Sequence, residues 1–534
     1  MGDFGVESSK YENSNNEKMT EKQDVSIIEL NHSQQLTTKP NAHFSALALL
    51  GLSYAMLNTW GSSAGSIYIG LGAGGPVAIV YGTIVGTVGA LSIATSLAEM
   101  CHVLPTAGAQ YHWFFALSDK QSKSKRFFSY MSGWLGTAGW IALTATAPIS
   151  SVQILLAIIQ LFHPQFNPGN WFTFIVYMAV SILATIINIF GIHIMGKLNI
   201  ASLYWSITGA VVLFVTLLSV AGHNGQLCDA KFIFATFLND TGWPDGVAWI
   251  MGLLMTQFAL VGADGAAHLV DEIKNPRKYA PLAMVLSCLI GGFCALVVNI
   301  ALLAVITDPE AVIEKLAASP MIAIYQGIGN LAGTTILSLF FLVNQIFTMP
   351  ALTITTSRMI HAYAIDGCLP FKSYLGHISP RYQVPIWAIM FNFAWITVFG
   401  LMALGSSLVI LIIQSASVVM LQVSYIPVII LMVIRGRKWI ASLDFKPTFN
   451  LGPRLGFITN LFALFYISIM TIFFLFPSVY PVTSPGDMNY AVVVFIAAIV
   501  LGLSNWFLFA RKHYEQPNGL EEFIAQITTT TSSS

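Results

Sequence analysis

Residues 247–270 read VAWIMGLLMTQFALVGADGAAHLV. This run is long and apolar enough to cross a bilayer as a helix, which takes about 20 residues. Near its middle, however, lies the segment Val261-Gly262-Ala263-Asp264-Gly265. Each glycine lowers helix propensity by about 1 kcal/mol relative to alanine, so we expect the helix to be interrupted there. An acid at membrane depth is costly and is a functional hypothesis by default. The segment therefore predicts a broken helix with Asp264 at its functional centre.

A second weak point of the same kind lies in the first apolar run, residues 45–71. Its middle, Asn58-Thr59-Trp60-Gly61-Ser62-Ser63-Ala64-Gly65, is small and polar at mid-membrane depth. Interrupted spans at corresponding positions of two halves are typical of a transporter's binding site. Because the breaks fall in the first and sixth runs, the chain divides into an inverted repeat of five spans plus five. The alternative is that these glycines only allow helices to pack closely.

The rest of the chain indicates an all-α polytopic membrane protein. Only 9% of its 534 residues are charged and 55% are hydrophobic, whereas about 25% of a soluble domain is charged. This composition excludes a soluble enzyme, and a formal net charge of +0 argues against a nucleic-acid partner. The continuous apolar runs also exclude a β-barrel, because the strands of a membrane barrel alternate apolar and polar residues. The sequence predicts twelve transmembrane helices, centred at residues 45–71, 77–101, 127–161, 172–192, 200–221, 247–270, 281–306, 331–360, 385–404, 407–434, 456–477 and 490–510.

The basic residues predict the orientation of these helices. If residues 1–43 lie in the cytoplasm and the sides alternate, all but two of the 24 Lys and Arg residues fall in inner segments, the exceptions being Lys231 and Lys315. The positive-inside rule predicts such a distribution. We therefore expect cytoplasmic tails at residues 1–43 and 512–534 on either side of a twelve-helix domain at residues 44–511.

The lysine-bearing N-terminal tail and one motif favour the plasma membrane, with the vacuolar membrane as the alternative. Asn239-Asp240-Thr241 is an N-glycosylation sequon in the longest predicted outer loop. Glycosylation at Asn239 would require that loop to face away from the cytoplasm, in agreement with the orientation predicted from the basic residues.

The two breaks supply the candidate substrate site. The N-terminal end of a half-helix attracts a carboxylate and a C-terminal end attracts an ammonium, so one architecture could hold both ends of an amino acid. Trp60 and Phe258, each within two turns of a break, could cover an amine through a cation–π contact or act as a gate. The candidate substrate-binding residues are Thr59, Trp60, Gly61, Ser62, Ser63, Phe258, Val261, Gly262 and Asp264.

Four residues are candidates for coupling or gating, namely Asp264, His268, Glu99 and Arg358. His268 lies four residues after Asp264 and would share its face of a resumed helix. The pair could carry a proton, since histidine titrates near neutral pH, or His268 could be a packing residue. Glu99 lies near the inner end of the second run and is expected to pair with an inner basic residue such as Arg358.

The sequence indicates no metal site, no cofactor and no enzyme. It contains no nucleophile–base or metal-ligand constellation, and its five cysteines, without a CxxC motif, give neither a disulfide framework nor a zinc site. A coupling ion, H⁺ or Na⁺, is the inorganic partner that we expect. In the eighth and tenth runs, Asn344, Gln345 and Gln414 are either further site residues or hydrogen bonds between helices.

Several stretches carry a family resemblance. The most specific are residues 96–100 (SLAEM), 105–113 (PTAGAQYHW), 128–135 (FSYMSGWL), 271–277 (DEIKNPR) and 357–367 (SRMIHAYAIDG). Over residues 44–511 the chain resembles the amino acid–polyamine–organocation permease superfamily, and within it the fungal GABA/choline permease-like branch. The resemblance implies the five-plus-five inverted-repeat fold, with the first and sixth helices unwound around a central site. It also implies alternating access driven by an ion gradient or by exchange.

The same resemblance implies roles for individual residues. Asp264 falls where relatives carry a glutamate implicated in coupling and gating, and Phe258 falls where some relatives place a gating aromatic. A substrate carboxylate would lie at residues 61–64 and the amine near the carbonyls of residues 258–261. One departure is Ser206, which takes the place of a lysine found in some proton-coupled relatives. Lysine-based coupling is therefore not expected, and sodium, a proton on Asp264, or exchange remain open.

The sequence thus predicts a secondary active permease for amino acids or related small amines such as GABA. A choline or polyamine permease is the alternative, because Asp264 beside aromatic residues would suit a cation. A nutrient sensor that binds without transporting is a third class. It is disfavoured because sensors derived from transporters are expected to have large soluble tails, and the tails predicted here are short.

Overall fold

The computed structural model of the chain describes residues 44–314, 318–404, 409–443 and 447–529. The predicted N-terminal tail, residues 1–43, lies outside these described residues. Within them the chain is all-α, with two isolated β-bridges and no strand. The helices are α1 Ala46–Leu57, α2 Thr59–Gly65, α3 Ile67–Gly72, α4 Gly75–Val103, α5 Gln110–Leu117, α6 Lys125–Phe162, α7 Asn170–Phe190, α8 Ile192–His223, α9 Ala230–Ala235, α10 Asp245–Gly252, α11 Leu254–Leu260, α12 Pro276–Leu303, α13 Pro309–Glu314, α14 Ser319–Ile328, α15 Leu331–Ile365, α16 Lys372–Leu375, α17 Ile386–Ala403, α18 Val409–Leu431, α19 Arg437–Ala441, α20 Gly452–Phe473, α21 Ala491–Asn505, α22 Arg511–His513 and α23 Leu520–Thr529, with 3₁₀ helices at Ala263–Glu272 and Pro485–Asp487 and π-helices at Met432–Gly436 and Trp506–Ala510.

Long apolar helices account for most of the predicted spans. In the described residues, 11 helical stretches are long and apolar enough to cross a membrane. The predicted first span is present as three consecutive short helices, α1 to α3, and each of them is too short to cross alone. The twelve predicted transmembrane segments are therefore all present as helices, and the predicted fold class is confirmed.

The first span is interrupted at Asn58. Helix α1 ends at Leu57 because Asn58 adopts the left-handed conformation, with a φ of 42°, which asparagine tolerates better than most residues. The Asn58 N–H donates to the Tyr54 carbonyl at 3.0 Å and closes the last turn of α1. Helix α2 then starts afresh at Thr59, so the break that the sequence predicts between residues 58 and 65 is confirmed.

The sixth span is interrupted at the predicted glycine-rich segment. Helix α11 ends at Leu260, Val261 is extended, and Gly262 has a φ of 92°, a conformation that glycine adopts without the steric cost of a Cβ atom. A Cβ at this position would also lie 3.1 Å from the Trp140 ring. The chain continues as the 3₁₀ helix Ala263–Glu272, so the break is confirmed and the helix that resumes is wound more tightly than an α-helix.

Corresponding spans of the two halves pack against each other. Helix α4, the second span, runs along α12, the seventh, and α6, the third, runs along α15, the eighth. Helix α1 and the 3₁₀ helix Ala263–Glu272 also pack on α12. Glycines allow this close approach, since a Cβ on Gly291 of α12 would lie 2.3 Å from Thr59 Oγ1. This pairing agrees with a five-plus-five repeat and places both breaks inside the bundle.

The chain alternates between two ends of the bundle. We call the end that carries Lys125, Lys274 and Arg437 the basic end, and the opposite end the distal end.

All five cysteines lie in the described residues as free thiols, four of them buried. The predicted absence of a disulfide framework therefore agrees with the structure over these residues.

Residues 514–529, which we call the C-terminal segment, pack on the basic end. The Asn518 N–H donates to Asp366 Oδ1 at 2.9 Å, and Arg126 Nε donates to the Tyr514 carbonyl at 3.0 Å. The predicted C-terminal tail, residues 512–534, is thus folded against the helical bundle over its described part.

Candidate functional site

A central cavity of about 110 Å³ lies where the two breaks meet. Gly61 and Ser62 of α2 line one side of it, and Phe258 of α11 and Val261 line another. Helices α6, α15 and α18 supply further walls. The polar side chains on these three walls belong to Thr146, Ser150, Gln153, Gln345, Thr348 and Gln414.

Both breaks beside this cavity leave backbone groups without partners inside their helices, N–H donors at the first break and carbonyl acceptors at the sixth. Helix α2 begins at Thr59, so the N–H groups of its first turn, including that of Gly61, have no partner within the helix. Helix α11 ends at Leu260, so its last carbonyls, including that of Phe258, lack partners within that helix. A ligand can therefore place a hydrogen-bond acceptor at the break in the first span and a hydrogen-bond donor at the break in the sixth span.

Two vestibules lie beyond the central cavity. The distal vestibule, about 280 Å³, shares the lining residues Tyr68 and Leu411 with the central cavity. The basic-end vestibule, about 320 Å³, shares no described lining residue with it. The central cavity therefore adjoins the distal vestibule and is separate from the basic-end vestibule over the described residues.

The structure divides the nine predicted substrate-binding residues into two groups. Gly61, Ser62, Phe258 and Val261 line the central cavity, as expected. The other five do not line it in this structure, and they are Thr59, Trp60, Ser63, Gly262 and Asp264.

Two of the predicted residues that do not line the cavity, Trp60 and Ser63, form hydrogen bonds elsewhere in the bundle. Trp60 Nε1 donates to Ser206 Oγ at 2.8 Å on α8, so the indole faces away from the cavity that it was expected to cover. Ser63 Oγ accepts a hydrogen bond from Asn299 Nδ2 at 2.9 Å. Because only one stripe of α2 can face the cavity, neighbouring residues of the predicted motif necessarily point in other directions.

Asp264 is buried among hydrogen-bond donors. It is 1% exposed, and Tyr425 Oη donates to its Oδ1 at 2.6 Å. Trp140 Nε1 donates to Oδ2 at 3.2 Å, and Gln110 Nε2 donates to the same oxygen. Its oxygens are therefore occupied by side chains of the protein and do not line the central cavity.

His268 and Asp264 share one proton site. Nδ1 of His268 lies 2.8 Å from the carbonyl oxygen of Ala107, which can only accept, so Nδ1 carries a proton. Nε2 lies 3.2 Å from Asp264 Oδ2, and a hydrogen bond there needs one proton, held by the imidazolium or by the carboxyl group. Without it, a carboxylate oxygen would face an imidazole lone pair. The predicted contact between the two side chains is confirmed, and its geometry depends on protonation.

His268 also connects this pair to the basic end. Besides contacting Asp264, it lines the basic-end vestibule together with His112, Glu272 and Asp366. The C-terminal segment covers part of the same vestibule, since Asn518, Gly519, Leu520 and Phe523 are among its lining residues. Asp264 is therefore one hydrogen bond away from a compartment that the central cavity does not reach.

Glu99 pairs with an inner basic residue, as expected, but its partner is Arg437 rather than Arg358, and two separate ion pairs lie at the basic end. Arg437 Nη1 donates to Glu99 Oε1 at 2.7 Å, and Arg358 Nε donates to Glu272 Oε1 at 2.5 Å. Arg358 reaches the end of the 3₁₀ helix, whereas Glu99 is reached from α19. Both carboxylates are 1% exposed, so neither pair is a solvated surface contact.

Ser206 occupies the place where the resemblance implies a lysine in some relatives. Its hydroxyl accepts hydrogen bonds from Trp60 and, at 3.4 Å, from Asn344 Nδ2. Asn344 thus bonds between helices, whereas Gln345 and Gln414 line the central cavity. Of the two alternatives for these polar residues, hydrogen bonding between helices therefore applies to Asn344, and a place at the site applies to Gln345 and Gln414.

Sequence reasoning did not assign site roles to several residues that the fold brings together. Gln110, Trp140 and Tyr425 all contact Asp264, and Gln153 lines the central cavity. They come from three separate helices, α5, α6 and α18, so no spacing pattern links them all. A glutamine or tyrosine inside an apolar run is the signal that could have marked Gln153 and Tyr425.

Comparison with known proteins agrees with this architecture. The sequence profile of the family described as amino acid permease matches residues 44–499. A choline transporter of Saccharomyces cerevisiae is 30% identical to this chain, over 90% of this chain and 83% of that protein. Amino-acid permease 2 of Neurospora crassa is 28% identical, over 88% of this chain and 84% of that protein.

Solved structures extend the likeness to the fold. A manganese transporter of Eremococcus coleocola, solved in complex with an aromatic bis-isothiourea substituted compound, superposes with a TM-score of 0.53 at 15% sequence identity, covering 91% of this chain and 95% of that chain. At this identity the likeness concerns the fold alone. The family match covers most of the chain, and the interrupted first and sixth spans enclose a central cavity. The chain therefore belongs to the amino acid permease family and is a multi-pass secondary transporter.

Proposed function

We propose that the chain carries a small amine-bearing solute, with an amino acid such as GABA as the leading substrate class. The observation that carries this proposal is the position of the central cavity between the start of α2, whose first N–H groups lack helical partners, and the end of α11, whose last carbonyls lack them. A substrate carboxylate would accept from the N–H groups near Gly61, and its ammonium would donate to the carbonyls near Phe258. Both ends of one dipolar molecule are then satisfied by backbone atoms.

The same proposal assigns a path across the membrane. We take the basic end as cytoplasmic, because basic loops collect on that side, and the plasma membrane as the location. The distal vestibule then admits substrate past Tyr68 and Leu411, which line both compartments. We expect release to the cytoplasm to separate or shift the ion pairs Glu99–Arg437 and Glu272–Arg358, which lie at the basic end.

A proton is the coupling ion that we favour. The Asp264–His268 pair holds one proton in its contact geometry, and His268 lines the basic-end vestibule. Binding or loss of that proton would therefore change the contact between the 3₁₀ helix and its neighbours. Sodium coupling and exchange are the alternatives that the experiment below separates.

Counterflow and accumulation in proteoliposomes test the proposal. Purified protein would be assayed with labelled GABA, choline, putrescine and neutral amino acids, with and without imposed proton or sodium gradients. We expect counterflow of an amino acid and accumulation that follows the proton gradient. Saturable binding with no flux would identify a sensor instead, and accumulation that follows only sodium would exclude the proton.

Choline is the second candidate, and two observations favour it. The choline transporter of Saccharomyces cerevisiae is 30% identical over 90% of this chain. The aromatic rings of Tyr68 and Phe258 line the cavity and could contact a quaternary ammonium. Choline counterflow faster than that of every amino acid tested would establish this alternative.

A further inference from the structure

Three glutamine side chains from three different spans line the central cavity and have no hydrogen-bond partner among the described residues. Gln153 belongs to α6, Gln345 to α15 and Gln414 to α18. Gln345 is 5% exposed and Gln414 is 6% exposed, and within the described residues their amide groups and that of Gln153 make no hydrogen bond to the protein. We call these three residues the glutamine cluster.

The position of the glutamine cluster differs from that of the two breaks. Gln153 lies in the distal quarter of α6, Gln414 lies near the distal start of α18, and Gln345 is nearer the middle of α15. The breaks lie at mid-bundle, where Gly61 and Val261 line the cavity. A substrate held by its charged groups at the breaks would therefore extend its remaining atoms toward the glutamine cluster.

The energetic consequence follows from the chemistry of the amide. Each glutamine side chain offers two donors and an acceptor. A buried polar group left without a partner costs about 1–3 kcal/mol. Three such groups on one small cavity need water or a ligand that can both donate and accept. An aliphatic substrate tail would displace the water and leave all three amides unpaired.

The absence of charged side chains from the described lining of the cavity disfavours a second class of ligand, the cations. None of its described lining residues is Asp, Glu, Lys or Arg. Asp264, the acid that would favour a cation, does not line the cavity, and its oxygens are taken by Gln110, Trp140, His268 and Tyr425. A solute with a net positive charge would thus meet no compensating side-chain charge, and a buried unpaired charge is costly.

We infer that the glutamine cluster selects a dipolar amino acid with a hydrogen-bonding side chain, an amide or a hydroxyl, over aliphatic amino acids and over quaternary ammonium ions. This inference rests on the proposed function, since it names the substrate class for the same cavity. Gln345 and Gln414 act as specificity-determining residues that contact the far end of the substrate.

The test compares L-glutamine with L-leucine, which is close in size but cannot hydrogen-bond through its side chain, and with choline. Counterflow in proteoliposomes would measure apparent affinities for the wild type and for the variants Gln345→Leu and Gln414→Leu. Gln160→Leu is the matched control, because it makes the same change at an exposed position on α6. Ligand-induced thermal stabilisation of the purified protein reports binding independently of flux.

We expect the wild type to prefer L-glutamine to L-leucine by at least tenfold. Each cluster variant should lower the apparent affinity for L-glutamine by about tenfold, the scale of one buried hydrogen bond, while leaving that for L-leucine unchanged or improved. Gln160→Leu should behave as the wild type. The inference is overturned if choline or L-leucine is the preferred ligand, or if the variants weaken both amino acids equally.

The two readouts separate this inference from the proposed function. Cluster-dependent stabilisation by L-glutamine without counterflow would contradict transport but support the selectivity. Counterflow of an amino acid with unaltered selectivity in Gln345→Leu and Gln414→Leu would support transport and overturn the selectivity. Absence of both signals in well-folded protein would overturn both.

Discussion

Asp264 is buried in the bundle, and its two carboxylate oxygens contact four side chains. Its importance can be predicted from the sequence, because an acid in an apolar run is costly wherever the helices turn out to pack. Its partners cannot be predicted in the same way. Gln110, Trp140 and Tyr425 come from three separate segments, and only the folded bundle brings them within hydrogen-bond distance.

Replacing Asp264 by asparagine is expected to reduce gradient-driven accumulation by at least tenfold while counterflow is reduced less. Asparagine is close in size to aspartate, but it removes the negative charge and directs an NH₂ group at existing donors. Accumulation would be measured over a range of internal and external pH values. Asp229→Asn is the control, since Asp229 is exposed and its side chain caps no helix. Accumulation by Asp264→Asn that matches the wild type at every pH would contradict the prediction.

His268→Gln is expected to abolish most of the pH dependence of uptake between pH 5 and 8. Glutamine can still donate to Asp264 Oδ2, but it cannot gain or lose a proton in this range. Initial rates of uptake against pH would be compared with those of His223→Gln, an exposed histidine at the distal end. A His268→Gln protein with the pH profile of the wild type would argue against a proton role for the pair.

At the scale of helices, the positions of both breaks could be predicted but the faces of the broken helices could not. Ser62 and Ser63 are identical in chemistry and adjacent in sequence, yet Ser62 lines the cavity while Ser63 accepts a hydrogen bond from Asn299. Hydrophobic periodicity cannot predict which face of a helix lines a cavity when small residues occupy every side of that helix. The orientation of α2 is set by its neighbours, including the contact of Trp60 with Ser206.

Gly262→Ala is expected to destabilise the protein by about 1–2 kcal/mol, the cost of a left-handed conformation for a residue with a Cβ atom. The new Cβ would also lie 3.1 Å from the Trp140 ring, which contacts Asp264. Thermal unfolding of the purified protein would show the loss as a lower Tm. In the control Gly246→Ala, the added Cβ meets no atom within 4 Å and the φ is not positive, so its Tm should not fall. Equal Tm values for the two variants would contradict the argument.

At the scale of the whole molecule, two ion pairs join elements that are far apart in the sequence. Glu99 lies on α4 and Glu272 ends the 3₁₀ helix, and both of these elements pack on α12. Their partners lie on α19 and α15. The number of spans and the basic end could be predicted from the sequence, because they depend on composition and charge order. Which basic residue pairs with which acid depends on the folded bundle, and sequence order does not fix it.

Arg358→Ala is expected to destabilise the protein by about 3–5 kcal/mol, since it leaves the buried Glu272 carboxylate unpaired. The double variant Arg358→Ala/Glu272→Gln should regain a large part of that loss, because the uncompensated charge is gone. Thermal unfolding would measure both. A double variant no more stable than the single one would show that lost packing, rather than the unpaired charge, causes the effect.

The exposed pair Arg435–Asp119 serves as the control for this prediction. Its side chains are 46% and 54% exposed, so Arg435→Ala should leave the Tm nearly unchanged. The hydrogen bond from Arg435 lowers the pKa of the Asp119 carboxyl group. The small stabilisation from this pair is therefore present at neutral pH and is lost as the pH falls through the lowered pKa.

The free thiols have a practical consequence for studying motion. Cys101, Cys288, Cys294 and Cys368 are buried, and only Cys228 is partly accessible. Burial raises the pKa of the Cys228 thiol, which lowers its reactive thiolate fraction at neutral pH. A single cysteine introduced on an exposed surface should therefore react with a maleimide fluorophore well above the native background. Paired fluorophores could then report opening and closing of each end in the otherwise unmodified chain.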